Sequence, residues 1–84
     1  MKLLKFYASW CAPCKGLSLV IESVKDQIDI VIEDVNIEEN LDLSQQYGIR
    51  SVPTLVLVED DGKEIKRVSG TMNENQFLEF IDVE

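Results

Sequence analysis

Two cysteines at the start of a predicted helix are the residues best suited to covalent chemistry. Cys11 and Cys14 are the two cysteines of this 84-residue chain and lie three positions apart. The first backbone N–H groups of a helix have no partner within the helix and carry the positive end of its dipole, which stabilises a thiolate. Pro13 fits the first turn, where its missing N–H costs no hydrogen bond. We therefore predict that Cys11 is a nucleophile, that Cys14 is the more shielded thiol, and that the two can close a disulfide.

Other uses of a cysteine pair fit the sequence less well. A structural disulfide across so short a loop removes little chain entropy, about 2 kcal/mol compared with about 3 for a fifteen-residue loop. Zinc needs four ligands, and two cysteines without any histidine leave half of a tetrahedral site empty unless two chains share it. Haem attachment requires a histidine where this chain has Lys15. The pattern thus favours dithiol redox chemistry, with no metal and no bound cofactor expected.

Length and composition indicate one small acidic domain. Residues 1–84 suffice for a single hydrophobic core but not for a separate substrate domain. The net charge of −8 argues against nucleic-acid and anionic-membrane surfaces, which need clustered Lys and Arg. Lys5 interrupts the apolar start of the chain, so we expect no signal peptide. No apolar stretch is long enough to cross a bilayer, so we expect no membrane span. We therefore expect a cytoplasmic monomer, and in that compartment a Cys-x-x-Cys pair is more often catalytic or metal-binding than structural.

The first half of the chain predicts a strand, a helix and a second strand. Residues 2–8 are apolar on both faces, as in a central strand. After the cysteines, apolar residues at helical spacing predict a helix that covers the sheet. This stripe consists of Leu17, Val20, Ile21, Val24 and Ile28. Residues 30–37 form the next predicted strand, parallel to the first because a helix connects the two.

The second half predicts a short helix and a hairpin. Asn40 is expected to cap a helix that runs to Tyr47 and ends at Gly48. Strands over 54–58 and 64–68 flank an Asp-Asp-Gly turn, so the second of them returns antiparallel at an edge of the sheet.

A final helix is predicted to begin at Asn73, with Gln76 completing a variant of the capping box. Its buried residues are expected to be Phe77, Phe80 and Ile81. The element order is therefore β-α-β-α-β-β-α, an α/β fold.

Two segments of the chain resemble the thioredoxin family. One is Trp10-Cys11-Ala12-Pro13-Cys14-Lys15, which follows a strand, and the other is Ile49-Arg50-Ser51-Val52-Pro53-Thr54. The resemblance covers nearly the whole chain. It implies a thioredoxin fold with a four-stranded mixed sheet flanked by helices, here without the N-terminal strand and helix of longer members. It also implies an enzyme that reduces protein disulfides, in which Cys11 attacks the substrate and Cys14 resolves the mixed disulfide.

The resemblance further implies a substrate-binding surface beside the cysteines. The Val52–Pro53 bond resembles the family's cis-proline, which lets the backbone of Val52 pair with an extended substrate peptide. The rest of an apolar rim would be formed by Trp10, Ala12, Pro13 and Gly70. Considered alone, Pro53 is equally consistent with the first position of a strand, and Trp10 with a packing role.

One pair of charged residues departs from the family pattern. Thioredoxins hold a buried Asp on the active-site strand, where it assists proton transfer involving the resolving cysteine, and pair it with a Lys on the neighbouring strand. Here Lys5 stands where the Asp is expected, and Asp34 stands where the Lys is expected. If their strands are neighbours, the two can form the same partly buried ion pair in reverse, which keeps the Asp34 carboxylate below the cysteines for proton transfer and places Lys5 nearer to them. Alternatively, Lys5 extends to solvent and Asp34 is a surface residue.

The direction of electron flow and the electron donor are indicated less clearly by the sequence than the cysteine chemistry is. Ala-Pro between the cysteines is close to the Gly-Pro of reducing thioredoxins, which favours a reductant. The donor is either a thioredoxin reductase or glutathione, because the short length resembles a glutaredoxin whereas Trp10 resembles a thioredoxin. The substrates are expected to be disulfide-containing proteins. An alternative of another class is a docking subunit with an idle redox site.

Overall fold

Four strands form one mixed sheet in the order β2-β1-β3-β4. The computed structural model describes residues 1–82. The strands are β1 (Lys2–Tyr7), β2 (Val31–Asn36), β3 (Thr54–Val58) and β4 (Glu64–Ser69). β1 pairs parallel with β2 and antiparallel with β3, and β3 pairs antiparallel with β4. The predicted mixed sheet is confirmed, with the second strand of the hairpin at an edge. The predicted domain includes residues 83 and 84, which lie outside the described residues.

The helices cover both faces of this sheet and create two core layers. They are α1 (Ala12–Val24), α2 (Leu41–Gln46) and α3 (Glu74–Ile81). One layer lies between the sheet and the helices α1 and α3, and its centre consists of Leu3, Leu17, Ile21, Val24, Leu55, Leu57 and Phe77. The other layer lies under α2, and its buried members are Leu4, Phe6, Val35, Val56 and Val58. Because β1 and β3 are central strands with a layer on each face, their sequences are apolar without alternation.

Two helices differ from the prediction in detail. α1 ends at Val24, and a 3₁₀ turn (Lys25–Gln27) follows it, so Ile28 lies beyond the helix although it still packs against the core. Asn40 occupies the N-cap position of α2, but its side chain does not cap the helix. Its amide Nδ2 instead donates a hydrogen bond to the Asn36 carbonyl oxygen at 2.9 Å. The predicted helix end at Gly48 is confirmed, since this residue has a φ of +63°.

The final helix has the predicted start and a narrower buried face than predicted. The Asn73 side chain accepts a hydrogen bond from the Gln76 N–H, and the Gln76 side chain accepts one from the Asn73 N–H, which completes the capping box. Phe77 is fully buried. Phe80 and Ile81 are only partly buried, so the predicted burial is wrong for these two residues. Both pack at the periphery of the core, where the Lys66 ammonium lies 5.1 Å from the centre of the Phe80 ring.

Candidate active site

The two cysteines form a disulfide at the first turn of α1. Cys11 is the N-cap residue of the helix, and its Sγ accepts a hydrogen bond from the Cys14 N–H at 3.1 Å. The Cα atoms of the pair are 5.3 Å apart, within the usual range for a disulfide. Pro13 lies in the first turn, as predicted, and that turn contains no acidic residue. A thiolate at Cys11 would therefore receive a charge-assisted hydrogen bond at the positive end of the helix dipole.

The cysteine pair lies beneath the surface. Cys11 and Cys14 are each 3% exposed, so the prediction that Cys14 is the more shielded of the two is wrong for the disulfide form. Both pack against Ala8, and Tyr7, Ile37 and Val52 surround this cluster. Cys11 is covered because the chain between β1 and α1 turns back on itself, with the Cys11 N–H donating to the Ala8 carbonyl oxygen at 3.1 Å.

The loop that precedes β3 lies against the cysteines. The Val52–Pro53 peptide bond is cis, as the resemblance implied. Val52 is partly buried against the cysteine cluster, whereas the Pro53 ring is fully buried and offers no surface to a partner. The Gly70 N–H donates to the Pro53 carbonyl oxygen at 2.9 Å, which brings the end of β4 beside this loop. Within residues 1–82, neither backbone polar group of Val52 has a hydrogen-bond partner.

Exposed apolar groups surround the site. Trp10 is 70% exposed, so the structure does not support the alternative that it is a packing residue. Ala12, Pro13 and Gly70 are also exposed, and Val52 is partly so. Apart from Pro53, the residues predicted for the rim therefore offer surface to a partner.

Lys5 and Asp34 face each other across β1 and β2, and they form the reversed ion pair. They are register partners, and Lys5 Nζ lies 3.4 Å from Asp34 Oδ1. The lysine side chain is 10% exposed and the aspartate side chain 61%. The alternative that Lys5 extends to solvent is therefore wrong, although Asp34 is a surface residue as that alternative stated. Thus the buried member of the pair is the cation.

Ser18 is a site residue that the sequence analysis missed. The Lys5 ammonium donates a hydrogen bond to Ser18 Oγ, and this hydroxyl donates to the Cys14 carbonyl oxygen at 3.0 Å. A cavity of about 230 Å³ next to this chain of bonds is lined by Lys5, Tyr7, Ala8, Ser9, Cys14, Lys15, Ser18 and Asp34. The available signal was spacing, because Ser18 follows Cys14 by four residues and so lies one helical turn away on the same face.

The described residues contain neither a candidate metal site nor a candidate membrane-spanning helix. Across residues 1–82, no three His, Cys, Asp or Glu side chains are placed to hold a metal ion. None of the helices in the same part of the chain is both long and apolar enough to cross a bilayer.

A Cys-x-x-Cys disulfide at a helix N-terminus, supported by a mixed four-stranded sheet, is typical of dithiol–disulfide oxidoreductases. The thioredoxin family model matches residues 1–83, and the chain belongs to the thioredoxin family. Thioredoxin from Chlamydia caviae is 40% identical over 81 residues, which cover 95% of this chain and 78% of that protein. Thioredoxin from Pseudomonas aeruginosa is 37% identical over 82 residues, covering 95% and 75%.

A solved structure supports the same assignment. A single-residue mutant of thioredoxin from Halobacterium salinarum superimposes with a TM-score of 0.84 at 39% identity, covering 94% of this chain and 69% of that one. The predicted family, fold and activity are confirmed: the protein is a thiol–disulfide oxidoreductase of the protein-disulfide reductase type. Thioredoxins act on disulfide substrates together with a reductase.

Proposed function

We propose that the protein reduces disulfides of other proteins with Cys11 as the attacking thiolate and Cys14 as the resolving thiol. The observation that carries this order is the hydrogen bond from the Cys14 N–H to Cys11 Sγ at the start of α1. It stabilises negative charge on Cys11, whereas Cys14 lies inside the first turn. A thiolate is the nucleophilic form in disulfide exchange, so Cys11 reacts first.

The reaction proceeds in two exchanges. The Cys11 thiolate attacks one sulfur of the substrate disulfide, a mixed disulfide forms, and the other substrate sulfur leaves as a thiolate that takes a proton from water. Cys14 then loses its proton and attacks Cys11 Sγ, which breaks the mixed disulfide and releases the second substrate thiolate. The substrate gains two electrons, and the protein is left with the Cys11–Cys14 disulfide seen in the structure.

The substrate is proposed to bind as an extended peptide over the loop before β3. The unpaired backbone groups of Val52 in the described structure support this mode, because main-chain hydrogen bonds hold an added strand without requiring a particular sequence. The exposed rim of Trp10, Ala12, Pro13 and Gly70 supplies apolar contact around it. The buried Pro53 shapes the loop and does not contact the substrate through its ring.

The electron donor is proposed to be a flavoprotein thioredoxin reductase, because the relatives quoted above are thioredoxins. A reducing compartment, the cytoplasm, suits a protein that must be returned to its dithiol form. The net charge of −8 opposes self-association, so we propose a monomer. Sedimentation velocity should show one species with the mass of a single chain, and a stable dimer would contradict this part.

Reduction of insulin disulfides by the purified protein tests the function and its donor. One reaction contains thioredoxin reductase and NADPH, and the other contains glutathione, glutathione reductase and NADPH. We expect insulin-dependent NADPH oxidation in the first reaction. Turnover only with glutathione would overturn the proposed donor. No reduction with either system, nor with dithiothreitol as donor, would overturn the function.

A further inference from the structure

A lysine ammonium is buried near the resolving cysteine. Lys5 Nζ belongs to a side chain that is 10% exposed, in contrast to Lys2 on the same strand, which is 39% exposed and pairs with Glu33 at 3.5 Å. A buried charge is costly unless it is paired and hydrogen-bonded. Lys5 has both kinds of partner, Asp34 and Ser18. Its burial is therefore stabilised by a dedicated set of contacts.

These contacts connect the ammonium to Cys14. Ser18 accepts the hydrogen bond from Lys5 and donates its own to the Cys14 carbonyl oxygen, so the serine fixes the ammonium relative to the first turn of α1. Lys5 and Cys14 also line the same cavity of about 230 Å³. The positive charge thus acts on Cys14 across a small, partly enclosed space, where solvent screens it less than at the surface.

The other charged groups around Lys5 do not cancel this effect. Asp34 also borders the cavity, but its side chain is 61% exposed and so belongs to the solvent side. Lys15 adds a second positive charge to the cavity wall, and the Tyr7 ring lies 5.9 Å from the Lys5 ammonium. Lys5, Ser18 and Asp34 also line a neighbouring groove, which contains Glu22, Lys25 and Asp29 but neither cysteine.

We propose that Lys5, held by Ser18, is a positioning residue that stabilises the thiolate of Cys14 in the resolving step. This inference rests on the function proposed above. Cys14 gives its proton to cavity water and through it to solvent, and then attacks Cys11 Sγ. The negative charge passes from Cys14 through the exchanging sulfurs to the departing substrate thiolate. Lys5 acts through its charge and neither accepts nor donates the transferred proton.

This role differs from the one that the resemblance implied. A carboxylate near Cys14 would act as a base that removes the proton, which is the function expected of Asp34 from the sequence. An ammonium instead makes the thiolate itself more stable. The two roles predict opposite effects of Asp34→Asn on the reaction of Cys14. If Asp34 is the base, the substitution removes that base and hinders the reaction. If Lys5 stabilises the thiolate, the substitution removes a counter-ion that partly neutralises Lys5 and so assists the reaction.

The two exchanges can be followed separately with 5,5′-dithiobis(2-nitrobenzoate). In the fully reduced protein, Cys11 attacks this reagent and releases one thionitrobenzoate, leaving the other on Cys11. Cys14 then displaces the second thionitrobenzoate. The reagent is used in large excess, so that the bimolecular attack by Cys11 is faster than the intramolecular exchange by Cys14. Stopped-flow absorbance at different pH values then gives a fast phase for Cys11 and a second phase for Cys14, each with its own pH midpoint. A wild-type protein that does not release two thionitrobenzoates per chain would contradict the proposed function rather than the role of Lys5.

The decisive variant is Lys5→Met, with Lys2→Met as its matched control on the same strand. We expect Lys5→Met to raise the pH midpoint of the second phase by about one pH unit, the effect of one nearby charge at partial burial. At neutral pH that phase should slow about threefold to fourfold, because an about tenfold loss of thiolate is partly offset by the greater nucleophilicity of the more basic thiolate. The first phase and the control should change much less. A second-phase midpoint equal to that of Lys2→Met, or an equal shift of both phases, would overturn the proposal.

A second variant keeps the test open if Lys5→Met does not fold. Asp34 is exposed, so Asp34→Asn should leave the fold intact. It removes the negative charge that partly neutralises the ammonium, and the second-phase midpoint should therefore fall. An unchanged or higher midpoint contradicts the role given to Lys5, and a higher one would favour Asp34 as a base.

Discussion

A bidentate ion pair lies within the edge strand β4, and its arginine also binds the end of α2. Arg67 Nε and Nη2 donate to the two Glu64 carboxylate oxygens at 2.7 and 2.6 Å, and Nη2 also donates to the Tyr47 carbonyl oxygen at 2.6 Å. The hydrogen bonds from Arg67 lower the pKa of Glu64 from its ordinary value of 4.5. Those same bonds to Glu64 raise the pKa of Arg67.

This shift predicts how the stability conferred by Glu64 depends on pH. Because the pKa of Glu64 is lower in the folded protein, its contribution is fully present above pH 4.5 and is lost as the pH falls through the folded value. Both side chains are about one-third exposed, so solvent screening limits the contribution of this ion pair to the free energy of unfolding to about 0.5 kcal/mol. Glu64→Gln should lower the free energy of unfolding by that amount at pH 7 and by progressively less in acid.

Urea denaturation at pH 7 and at pH 3 measures this difference. Glu79→Gln is the control, because this substitution removes the same unit of charge. Glu79 forms no ion pair within residues 1–82. A Glu64→Gln effect that is equal at both pH values, or equal to that of the control, would show that the pair adds no stability.

At the residue scale, the sequence was most informative where chemistry restricts the choice of residue. Cys11 and Cys14 were recognisable because few functions place two thiols three positions apart in the first turn of a helix, and Pro53 because a second motif contains it. The spacing of Ser18 from Cys14 was visible in the sequence, but its contact with Lys5 was not predictable. The resemblance places Lys5 opposite Asp34, but the packing of α1 over β1 decides which of the two side chains is enclosed.

Two glycines illustrate how one substitution has opposite effects in different elements. Gly48 ends α2 with a φ of +63°, and Gly16 lies within α1; no heavy atom lies within 4 Å of the Cβ that alanine would add to either. Gly48→Ala should therefore lower the free energy of unfolding by about 1 kcal/mol, because a side chain disfavours the left-handed conformation. Gly16→Ala should raise it by about 0.5–1 kcal/mol, because alanine is the better helix former.

Chemical denaturation of the two variants beside the wild type gives both values. Since neither substitution meets a neighbouring atom, the difference in sign isolates backbone conformation from packing. Destabilisation by Gly16→Ala, or no loss of stability in Gly48→Ala, would contradict this account of α1 and the end of α2.

At the element scale, the order of strands and helices was predictable and some helix details were not. The helix end at Gly48 and the helix start at the Asn73–Gln76 capping box are each determined by residues within four positions of one another, so the sequence predicts them. By contrast, the apolar stripe of α1 continues to Ile28 because a 3₁₀ turn keeps that residue against the core after the helix has ended. Periodicity alone does not distinguish these two arrangements.

At the scale of the whole molecule, the sheet places the chemistry at one end of the central strands. β1 leads directly into the cysteine turn, and β3 begins directly after the cis Val52–Pro53 bond. These two strands are antiparallel neighbours, so the end of one lies beside the start of the other. This arrangement was predictable from the resemblance, because the two motifs flank strands that the family pairs. The hydrogen bond from the Gly70 N–H to the Pro53 carbonyl oxygen continues the pairing of β3 with β4 by one residue beyond the hairpin strands.

The most direct test of the central claim is to trap the intermediate of the first exchange. Cys14→Ser retains the attacking Cys11 but lacks the resolving thiol, so incubation of the reduced variant with insulin should accumulate a disulfide-linked adduct. Non-reducing gels and intact-mass spectrometry identify the adduct, and dithiothreitol should dissociate it. Cys11→Ser is the matched control and should give none. An adduct formed equally by Cys11→Ser, or no adduct from Cys14→Ser, would contradict the proposed order of attack.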